Sequence, residues 1–515
     1  MVNNKGKKRK RSFWRIWHRW VGFVFAIFII LFCVSGIVLN HRQCFTSCEV
    51  SRGWLPKAYQ IDHWNQGIIK GTLAVGDEVW GYGQAGIWRT DRTFSRWEEL
   101  NEGLAAGIDN RKISNLVRTR DGQLWCAALY EAYRHDTIAS CWQSIALPNN
   151  KERISDIALR GGDTLVVLTR STLYEATAPE YRFTERPLQT VESYDAKVTL
   201  FKTIWMLHSG ELFGLPGRLV VDSLGIVLIV LCVTGIVFFV LPYRLRRVRQ
   251  IEQKRKIGQW MKWNLTWHNR LGSSLIVLTL ILSITGMCLR PPLMIPLAMT
   301  RTKPLPFSAL DQKNVMHDKL RGIRWEARHQ TWILSTSEGF FWLDQTLDTG
   351  HLWPIAKQAA PPVSPMGITV FRQHQGEWLV GSMSGLYRWQ PTTGNVTDWF
   401  TGLPYVGKKG YPVADHAVTG FSIDYEQGPV IFEYSAAPNV TLPAMPDVLK
   451  EQPMSLWNFA LELHVGRCYE PFLGSMFSVL FVFIAGLVLT LTLISGYIDY
   501  RRSNRKVKSE ELLTK

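Results

Sequence analysis

Four histidines occupy matching places in two copies of one sequence pattern. The first part of the pattern is Trp-His, three residues, Gly, twelve residues, and Ser or Thr before Gly; it spans 17–36 and 267–286. The second part is Leu-His-x-Gly followed by an apolar stretch ending in Ser or Thr before Gly, and it spans 207–235 and 463–496. Because parallel repeats place equivalent residues face to face, we expect His18 opposite His268 and His208 opposite His464.

Two imidazoles on neighbouring helices, one on each side of an iron, are the axial ligands of a b-type haem. The sequence therefore predicts two b-type haems, one for each histidine pair. Gly22 and Gly272 follow His18 and His268 by four residues on the same helix face, where a missing side chain leaves room for a flat macrocycle. Candidates to bind the propionates are Arg15, Arg19 and Arg270 near the first pair, with Arg218 and Arg467 near the second.

Other interpretations of these histidines stay open. A histidine at a helix end near a membrane surface is often a satisfied polar residue, and tryptophan beside it is common there. Histidine is also a common ligand of zinc, but neither pair has a cysteine or carboxylate at structural-zinc spacing. The repetition of the pairs at two depths favours haem.

Four apolar stretches must position the histidines, near 20–39, 219–241, 271–289 and 473–498. Each is long enough to cross a hydrocarbon core of about 30 Å as a helix. The first is long for a signal peptide and lacks a small-x-small cleavage site, so we expect it to be retained. The predicted fold is a membrane four-helix bundle of two tandem helix pairs.

The net charge of +17 is concentrated beside these stretches, within 5–11, 244–256 and 501–508. Positive residues are retained in the cytoplasm, so both termini are predicted inside and two large inserts outside. The charge thus indicates topology and membrane lipid as a partner, not nucleic acid. The expected segments are a basic tail with the first helix (1–40), insert one (41–206), helix two (207–242), a basic loop (243–265), helix three (266–290), insert two (291–462), helix four (463–500) and a tail (501–515).

The inserts carry a second periodicity, in which an apolar residue begins a short strand and an aromatic residue follows nine positions later. The pairs are Val79/Trp88, Leu124/Tyr133, Leu165/Tyr174, Trp332/Phe341 and Trp378/Tyr387. Starts within an insert lie 41 to 46 residues apart, which is the period of propeller blades. We expect an all-β domain in which both inserts close into one propeller, with a sixth degenerate unit near 430–434. Separate sheets are the alternative.

Two further groups are candidates for chemistry. Asp222 is an ionisable residue within a span, and its possible roles are proton handling or a simple ion pair with Arg218. His41 is an alternative ligand on the outer side. Of the eight cysteines, Cys44 with Cys48 and Cys126 with Cys141 could form disulfides, or all four could be free thiols.

These motifs resemble the PepSY-associated transmembrane family of bacterial inner-membrane proteins. The resemblance rests on 17–22, on 207–210 with 214–218, and on their repeats at 267–272 and 463–466, and it covers about the four helices. Members include two-haem reductases that reduce ferric siderophores in the periplasm, which implies haem, inner-membrane localisation and a ferric chelate as acceptor. The propeller-like inserts depart from the small PepSY-type domain.

The leading hypothesis is a transmembrane haem-dependent oxidoreductase of the ferric-reductase type. No dinucleotide fingerprint or P-loop occurs in a convincing context, so electrons would come from a membrane quinol or a cytoplasmic reductase. The acceptor would be a ferric chelate or a periplasmic protein. The alternative is a periplasmic sensor or partner-binding module that four helices merely anchor.

Overall fold

The computed structural model describes residues 13–189, 195–362, 366–406, 416–434 and 441–513, with side chains up to 505. The basic cluster predicted at 5–11 lies outside the described residues, as do the side chains of Lys506 and Lys508. The chain divides into two compact units, of which unit 1 comprises 13–45, 196–311 and 457–513. Unit 2 comprises 46–195 and 312–456, with the gaps given above.

Unit 1 is mainly helical. The helices of the chain are α1 (Phe13–Asn40), α2 (Leu200–Ser209), α3 (Gly214–Arg247), α4 (Ile251–Ser274), α5 (Ile276–Met287), α6 (Met294–Met299), α7 (Asp447–Lys450, in unit 2), α8 (Leu456–His464), α9 (Glu470–Leu473) and α10 (Ser475–Leu513). Among the described residues, three helical segments are long and apolar enough to cross a membrane, within α1, α3 and α10. A fourth span results if α4 and α5, which bend by 68°, are counted together.

The region between the second and third apolar stretches differs from the basic loop expected at 243–265. α3 continues to Arg247, and α4 begins at Ile251, well before the third apolar stretch. Residues 251–266 contain no proline and include an i,i+4 pair between Glu252 and Lys256, so they favour a helix despite their charge. The bend falls at Leu275, directly after Gly272-Ser273-Ser274, a sequence that often kinks helices.

The long helices pack around a common apolar core. α1 contacts α3 and α10, and α10 also contacts α5. Ile29, Leu228 and Leu231 are buried at the centre of this core, and leucines of α5 and α10 pack against them. This core lies midway along the helices, and the histidines lie toward the helix ends. Apolar side chains therefore fill the space between the two groups of histidines.

The described residues of unit 2 form six sheet regions and one further two-stranded ladder. Strands β1 (Glu49–Val50) and β26 (Met454–Ser455) form a small ladder, and β14 (Val198–Thr199) pairs with β15 (Arg301–Thr302) in unit 1. The other strands are β2 (Ile69–Val75), β3 (Glu78–Gly83), β4 (Gly86–Thr90), β5 (Trp97–Glu99), β6 (Asn115–Arg118), β7 (Leu124–Ala127), β8 (Ala132–Asp136), β9 (Cys141–Ile145), β10 (Ile154–Arg160), β11 (Thr164–Thr169), β12 (Leu173–Thr177), β13 (Thr184–Arg186), β16 (Leu320–Glu326), β17 (Thr331–Thr336), β18 (Phe340–Leu343), β19 (Leu352–Pro354), β20 (Val370–His374), β21 (Glu377–Ser382), β22 (Gly385–Gln390), β23 (Asn395–Asp398), β24 (Val418–Ser422) and β25 (Val430–Glu433).

Five of these regions are four-stranded antiparallel meanders: β2–β5, β6–β9, β10–β13, β16–β19 and β20–β23. Each apolar-aromatic pair predicted from the sequence lies on the second and third strands of one meander, and its side chains are buried. The sixth region is the hairpin β24–β25. It joins the first meander through a parallel pairing of β24 with β2 at Phe421 and Gly71. The two inserts therefore share one sheet.

The first strands of the six regions contact one another in the order β2, β6, β10, β16, β20 and β24, and β24 contacts β2 again. Apolar clusters fill the spaces between neighbouring sheets. One cluster joins Val166 and Leu168 of the first insert to Leu334 of the second. The two inserts thus form a single compact unit rather than two separate ones.

All eight cysteines are free thiols. Cys126 lies on β7 and Cys141 on β9, and β8 lies between these strands in the sheet. Strands two positions apart are separated by about 10 Å, which exceeds the Cα distance that a disulfide can bridge. Of the two alternatives, disulfides or free thiols, the structure shows free thiols for Cys126 and Cys141 and also for Cys44 and Cys48.

Candidate functional site

The four histidines of the repeat form two close pairs in unit 1. His18 on α1 lies opposite His268 on α4, with ring centres 6.0 Å apart. His208 on α2 lies opposite His464 on α8, with ring centres 6.2 Å apart. Each pair thus takes one histidine from each sequence repeat.

The Nδ1 atom of each histidine is held by the helix of the other repeat. His18 Nδ1 lies 3.0 Å from the carbonyl of Thr492, and His464 Nδ1 lies 3.0 Å from that of Phe32. His208 Nδ1 lies 3.1 Å from the carbonyl of Leu282. A carbonyl accepts but cannot donate, so these three rings carry their proton on Nδ1.

Hydroxyl groups complete the anchoring of three rings. Ser35 Oγ lies 3.0 Å from Nδ1 of His464, and Thr285 Oγ1 lies 3.1 Å from Nδ1 of His208. Thr234 Oγ1 lies 2.9 Å from Nδ1 of His268. Asn264 helps to position Thr234, because its Nδ2 donates to the backbone carbonyl of that residue. Within the described part of the chain, Nε2 of the four histidines makes no hydrogen bond, and it is therefore the nitrogen available to a metal.

At three of the four Ser/Thr-Gly dipeptides, those of Gly36, Gly286 and Gly496, the glycine lets the imidazole approach closely. A Cβ atom on Gly286 would lie 2.7 Å from Cε1 of His208, and one on Gly496 would lie 2.7 Å from Cε1 of His18. The corresponding distances are 3.2 Å from Gly36 to His464 and 3.8 Å from Gly235 to His268. The Ser/Thr-Gly dipeptides are thus docking positions for the histidines, a role that their spacing alone did not reveal.

The geometry of the pairs fits a metal held by two imidazoles. With metal–nitrogen bonds of about 2 Å, the centres of two coordinating rings are about 6 Å apart. No cluster of three or more His, Cys, Asp or Glu side chains suited to a metal ion occurs among the described residues. Two protein ligands are too few for a bare ion, whereas a porphyrin supplies the remaining nitrogens.

Buried donors without partners occur in unit 1. Among the described residues of this unit, three buried donors have no hydrogen-bond partner: Nε1 of Trp17, which precedes His18, Oγ1 of Thr492, whose carbonyl contacts His18, and Nε of Arg290. Arg290 follows Gly286 by four residues and lies within electrostatic range of Glu462 and Arg467. Such orphaned donors suit the propionates of a haem, so the residues present fit this group.

The arginines named from the sequence are mostly engaged elsewhere. Arg15 forms an ion pair with Asp499 at 3.1 Å, and Arg467 forms one with Glu462. Arg19 lies 5.1 Å from the ring centre of Phe239, and Arg270 lies 5.6 Å from that of Trp267. Arg290 was not singled out from the sequence, although its place one turn beyond a Thr-Gly dipeptide was a usable signal.

The two glycines named from the sequence, Gly22 and Gly272, lie against side chains of neighbouring helices. A Cβ atom on Gly22 would lie 3.4 Å from the side chain of Thr492, and one on Gly272 would lie 3.7 Å from Leu231. Gly22 therefore permits close packing of α1 against α10. That packing helps to hold the Thr492 carbonyl at His18.

Asp222 binds His41 and Asn40 rather than Arg218. His41 Nε2 lies 2.6 Å from one oxygen of Asp222, and Asn40 Nδ2 donates to the other at 2.9 Å. Arg218 donates instead to the carbonyl of Asn40 at 3.3 Å. In this arrangement Nε2 of His41, the alternative ligand named from the sequence, contacts the carboxylate of Asp222.

The model of the PepSY-associated TM region matches residues 2–241. This part of the chain, which holds the first histidine repeat and the first insert, is similar to the PepSY-associated TM family. No curated protein matches the chain.

Among solved structures, the chain is similar to the extracellular domain of a hybrid two-component system from B. thetaiotaomicron, with a TM-score of 0.33 and 11% identity. The match covers 72% of this chain and 33% of that one, so the chain spans about a third of that structure. The extracellular domain of a second such system from B. thetaiotaomicron gives a TM-score of 0.33 at 8% identity, covering 72% of this chain and 39% of that one. Similarity at this level carries no inference about function.

Proposed function

We propose that the protein is a di-haem b-type electron-transfer protein of the bacterial inner membrane, which passes electrons to a periplasmic ferric chelate. The observation that carries the proposal is the presence of two opposed histidine pairs at 6.0 and 6.2 Å, with every Nδ1 anchored. Haem bound in this way exchanges single electrons at its iron.

The chain's own residues hold the two pairs at opposite ends of the bundle. On α1 the 17 residues from His18 to Ser35, the anchor of His464, rise about 25 Å along the helix. The apolar core around Ile29 and Leu228 fills the space between and excludes water. In the expected topology, His18 and His268 lie at the cytoplasmic side and His208 and His464 at the periplasmic side.

We further propose that unit 2 is a six-bladed β-propeller whose last blade is the hairpin β24–β25. The support is the closed order of contacts among six first strands and the parallel pairing of β24 with β2. Propellers are closed by joining the two ends of the chain of blades in one sheet.

Asp222 is proposed to handle protons at the periplasmic end. Its carboxylate joins His41 at 2.6 Å, and Asn40 links the same carboxylate to the backbone carbonyl of Ser209, next to His208. Arrival of an electron favours uptake of a proton by groups nearby, because both changes balance charge in a medium of low dielectric.

The acceptor is tested with the reduced protein and ferric siderophores. A fully reduced chain with two haems would supply two electrons and should convert two Fe(III) to Fe(II), which a ferrous-specific dye traps, and the reduced spectrum should disappear. The gallium(III) form of the same siderophore, which cannot be reduced, is the control. If no ferric chelate reoxidises the protein, the proposed reduction of iron is wrong, whereas electron transfer through the two haems to another acceptor would still be consistent with the result.

An anchored binding module is the second candidate. The observation that favours it is the size of unit 2, which has apolar cores of its own and holds neither histidine pair. Purified protein that keeps its fold without any haem would favour this function over electron transfer.

A further inference from the structure

A cluster of charged side chains lies inside the ring of first strands in unit 2. Its members are Lys70 on β2, Tyr82 on β3, Asp156 on β10, Arg324 on β16, Arg372 on β20 and Asp424, two residues after β24. The Tyr82 hydroxyl is within electrostatic range of both arginines and both aspartates. Since these residues come from different sheets around the ring, they can approach one another only toward its centre.

Tyr82 reaches the cluster across Gly71. A Cβ atom on Gly71 would lie 2.5 Å from the Tyr82 hydroxyl, so glycine is required for this position. The hydroxyl donates to Asn115 on β6 at 2.9 Å, and Asn115 donates to the carbonyl of Ile157 on β10 at 2.7 Å. Hydrogen bonds thus join three neighbouring sheets around the cluster and make it rigid.

The two carboxylates of the cluster are satisfied. Asp156 pairs with Arg324 at 2.6 Å and accepts from the backbone N–H groups of Ile157 and Ile323. Asp424 accepts a hydrogen bond of 2.6 Å from the Thr72 hydroxyl.

Two cations of the cluster have no carboxylate partner. Among the described residues, the side chains of Lys70 and Arg372 make neither a hydrogen bond nor an ion pair, and the guanidinium of Arg372 lies 5.9 Å from the ring centre of Phe421. Burial lowers the pKa of the Lys70 ammonium to about 8, although Asp156 raises it. A cation left unpaired in such surroundings is unfavourable, and a bound anion would compensate it.

We propose that Lys70 and Arg372 bind a small carboxylate or phosphate anion inside this ring, beside the ion pair of Arg324 with Asp156. The site needs neither haem nor electron transfer, so it goes beyond the function proposed above. Guanidinium and ammonium donors suit the oxygens of both anion types.

The full-length protein in detergent is titrated calorimetrically with citrate and, separately, with inorganic phosphate, at pH 7. One anion should bind at one site per chain, and Lys70→Met and Arg372→Met should each weaken it at least tenfold. Lys357→Met, which removes an exposed lysine of unit 2, is the matched control and should change nothing. Circular dichroism checks that each variant is folded.

The two titrations identify the source of the anion: citrate binding indicates a carboxylate ligand and phosphate binding a phosphorylated one. For the native protein, affinity should fall as the pH rises past about 8, because Lys70 loses its proton there. This fall should be absent in Lys70→Met. Absence of binding by both anions, or binding that both variants retain, would overturn the proposal.

Discussion

The state of each candidate histidine depends on what its Nδ1 atom contacts. At His18, His208 and His464 a carbonyl acceptor fixes the proton on Nδ1. The lone pair of Nε2 is then available to a metal. Outer hydrogen bonds of this kind orient metal-binding histidines and raise their basicity. The anchors are therefore as important to the candidate site as the histidines.

Substitution of the docking glycines tests this arrangement. Gly286→Ala should remove most of the haem held by His208, because the new Cβ atom would lie 2.7 Å from the imidazole. Gly235→Ala is the matched control, since its Cβ atom would lie at 3.8 Å, an ordinary contact. Haem per chain, measured by absorbance, should be halved in the first variant and unchanged in the second. Equal haem in both would contradict the docking role.

Arg290 is predicted to set the reduction potential of the periplasmic haem. Loss of its charge in Arg290→Leu should lower that midpoint potential by several tens of millivolts, because a cation several ångströms away stabilises the reduced state by roughly 1–2 kcal/mol. Arg290→Lys keeps the charge and should retain most of the native value. A redox titration that gives the same potential for Arg290→Leu and the native protein would exclude this role.

At this scale the sequence predicted which histidines pair, because the repeat gives them equivalent positions. It did not predict the partners of the arginines. Arg467 binds Glu462, five residues earlier in the chain, and Arg19 lies on Phe239 of another helix. Long side chains choose among several neighbours, and this choice depends on helix rotation, which periodicity does not determine.

At the scale of secondary-structure elements, the end of α1 is joined to α3 by Asp222. The carboxylate binds both Asn40 and His41, and Asn40 also donates to Ser209 at the end of α2. Three helices thus meet at one polar group. They do so next to His208, so the tie also stabilises the position of that histidine.

Removal of this tie should destabilise unit 1. Asp222→Leu leaves His41 and Asn40 without their shared acceptor, and the free energy of unfolding should fall by about 1–3 kcal/mol. Thermal unfolding in detergent measures the change. Ser223→Ala, at the exposed neighbouring position, should have little effect. An unchanged melting temperature for Asp222→Leu would show that the network contributes nothing.

Apolar length was sufficient to predict the four stretches, but not how helices continue beyond them. α4 extends through the charged segment 251–266 because that segment has good helix formers and no proline. The 68° bend before α5 was also missed. A bend caused by Gly-Ser-Ser depends on packing around it, whereas the same residues occur in straight helices.

At the scale of the whole molecule, the two compact units should respond separately to damage. Trp332→Ala removes a fully buried side chain of unit 2 and should cost about 3–5 kcal/mol there, while the haem spectrum of unit 1 persists. Limited proteolysis measures the loss. Trp54→Ala, at a tryptophan that is 86% exposed, is the control. Loss of haem together with unit 2 would contradict separate stability.

The period of 41 to 46 residues located five meanders, because each meander repeats the same buried apolar and aromatic positions. The hairpin β24–β25 is shorter, and its pairing with β2 joins residues about 350 apart. No local pattern encodes a contact of that range.

The visible absorption spectrum of the purified protein, oxidised and then reduced with dithionite, tests the central claim most directly. Haem is quantified per chain in the native protein and in His18→Ala and His208→Ala. The predicted result is two b-type haems in the native protein, with a different one lost in each variant. A colourless native protein, or variants that keep both haems, would contradict the claim.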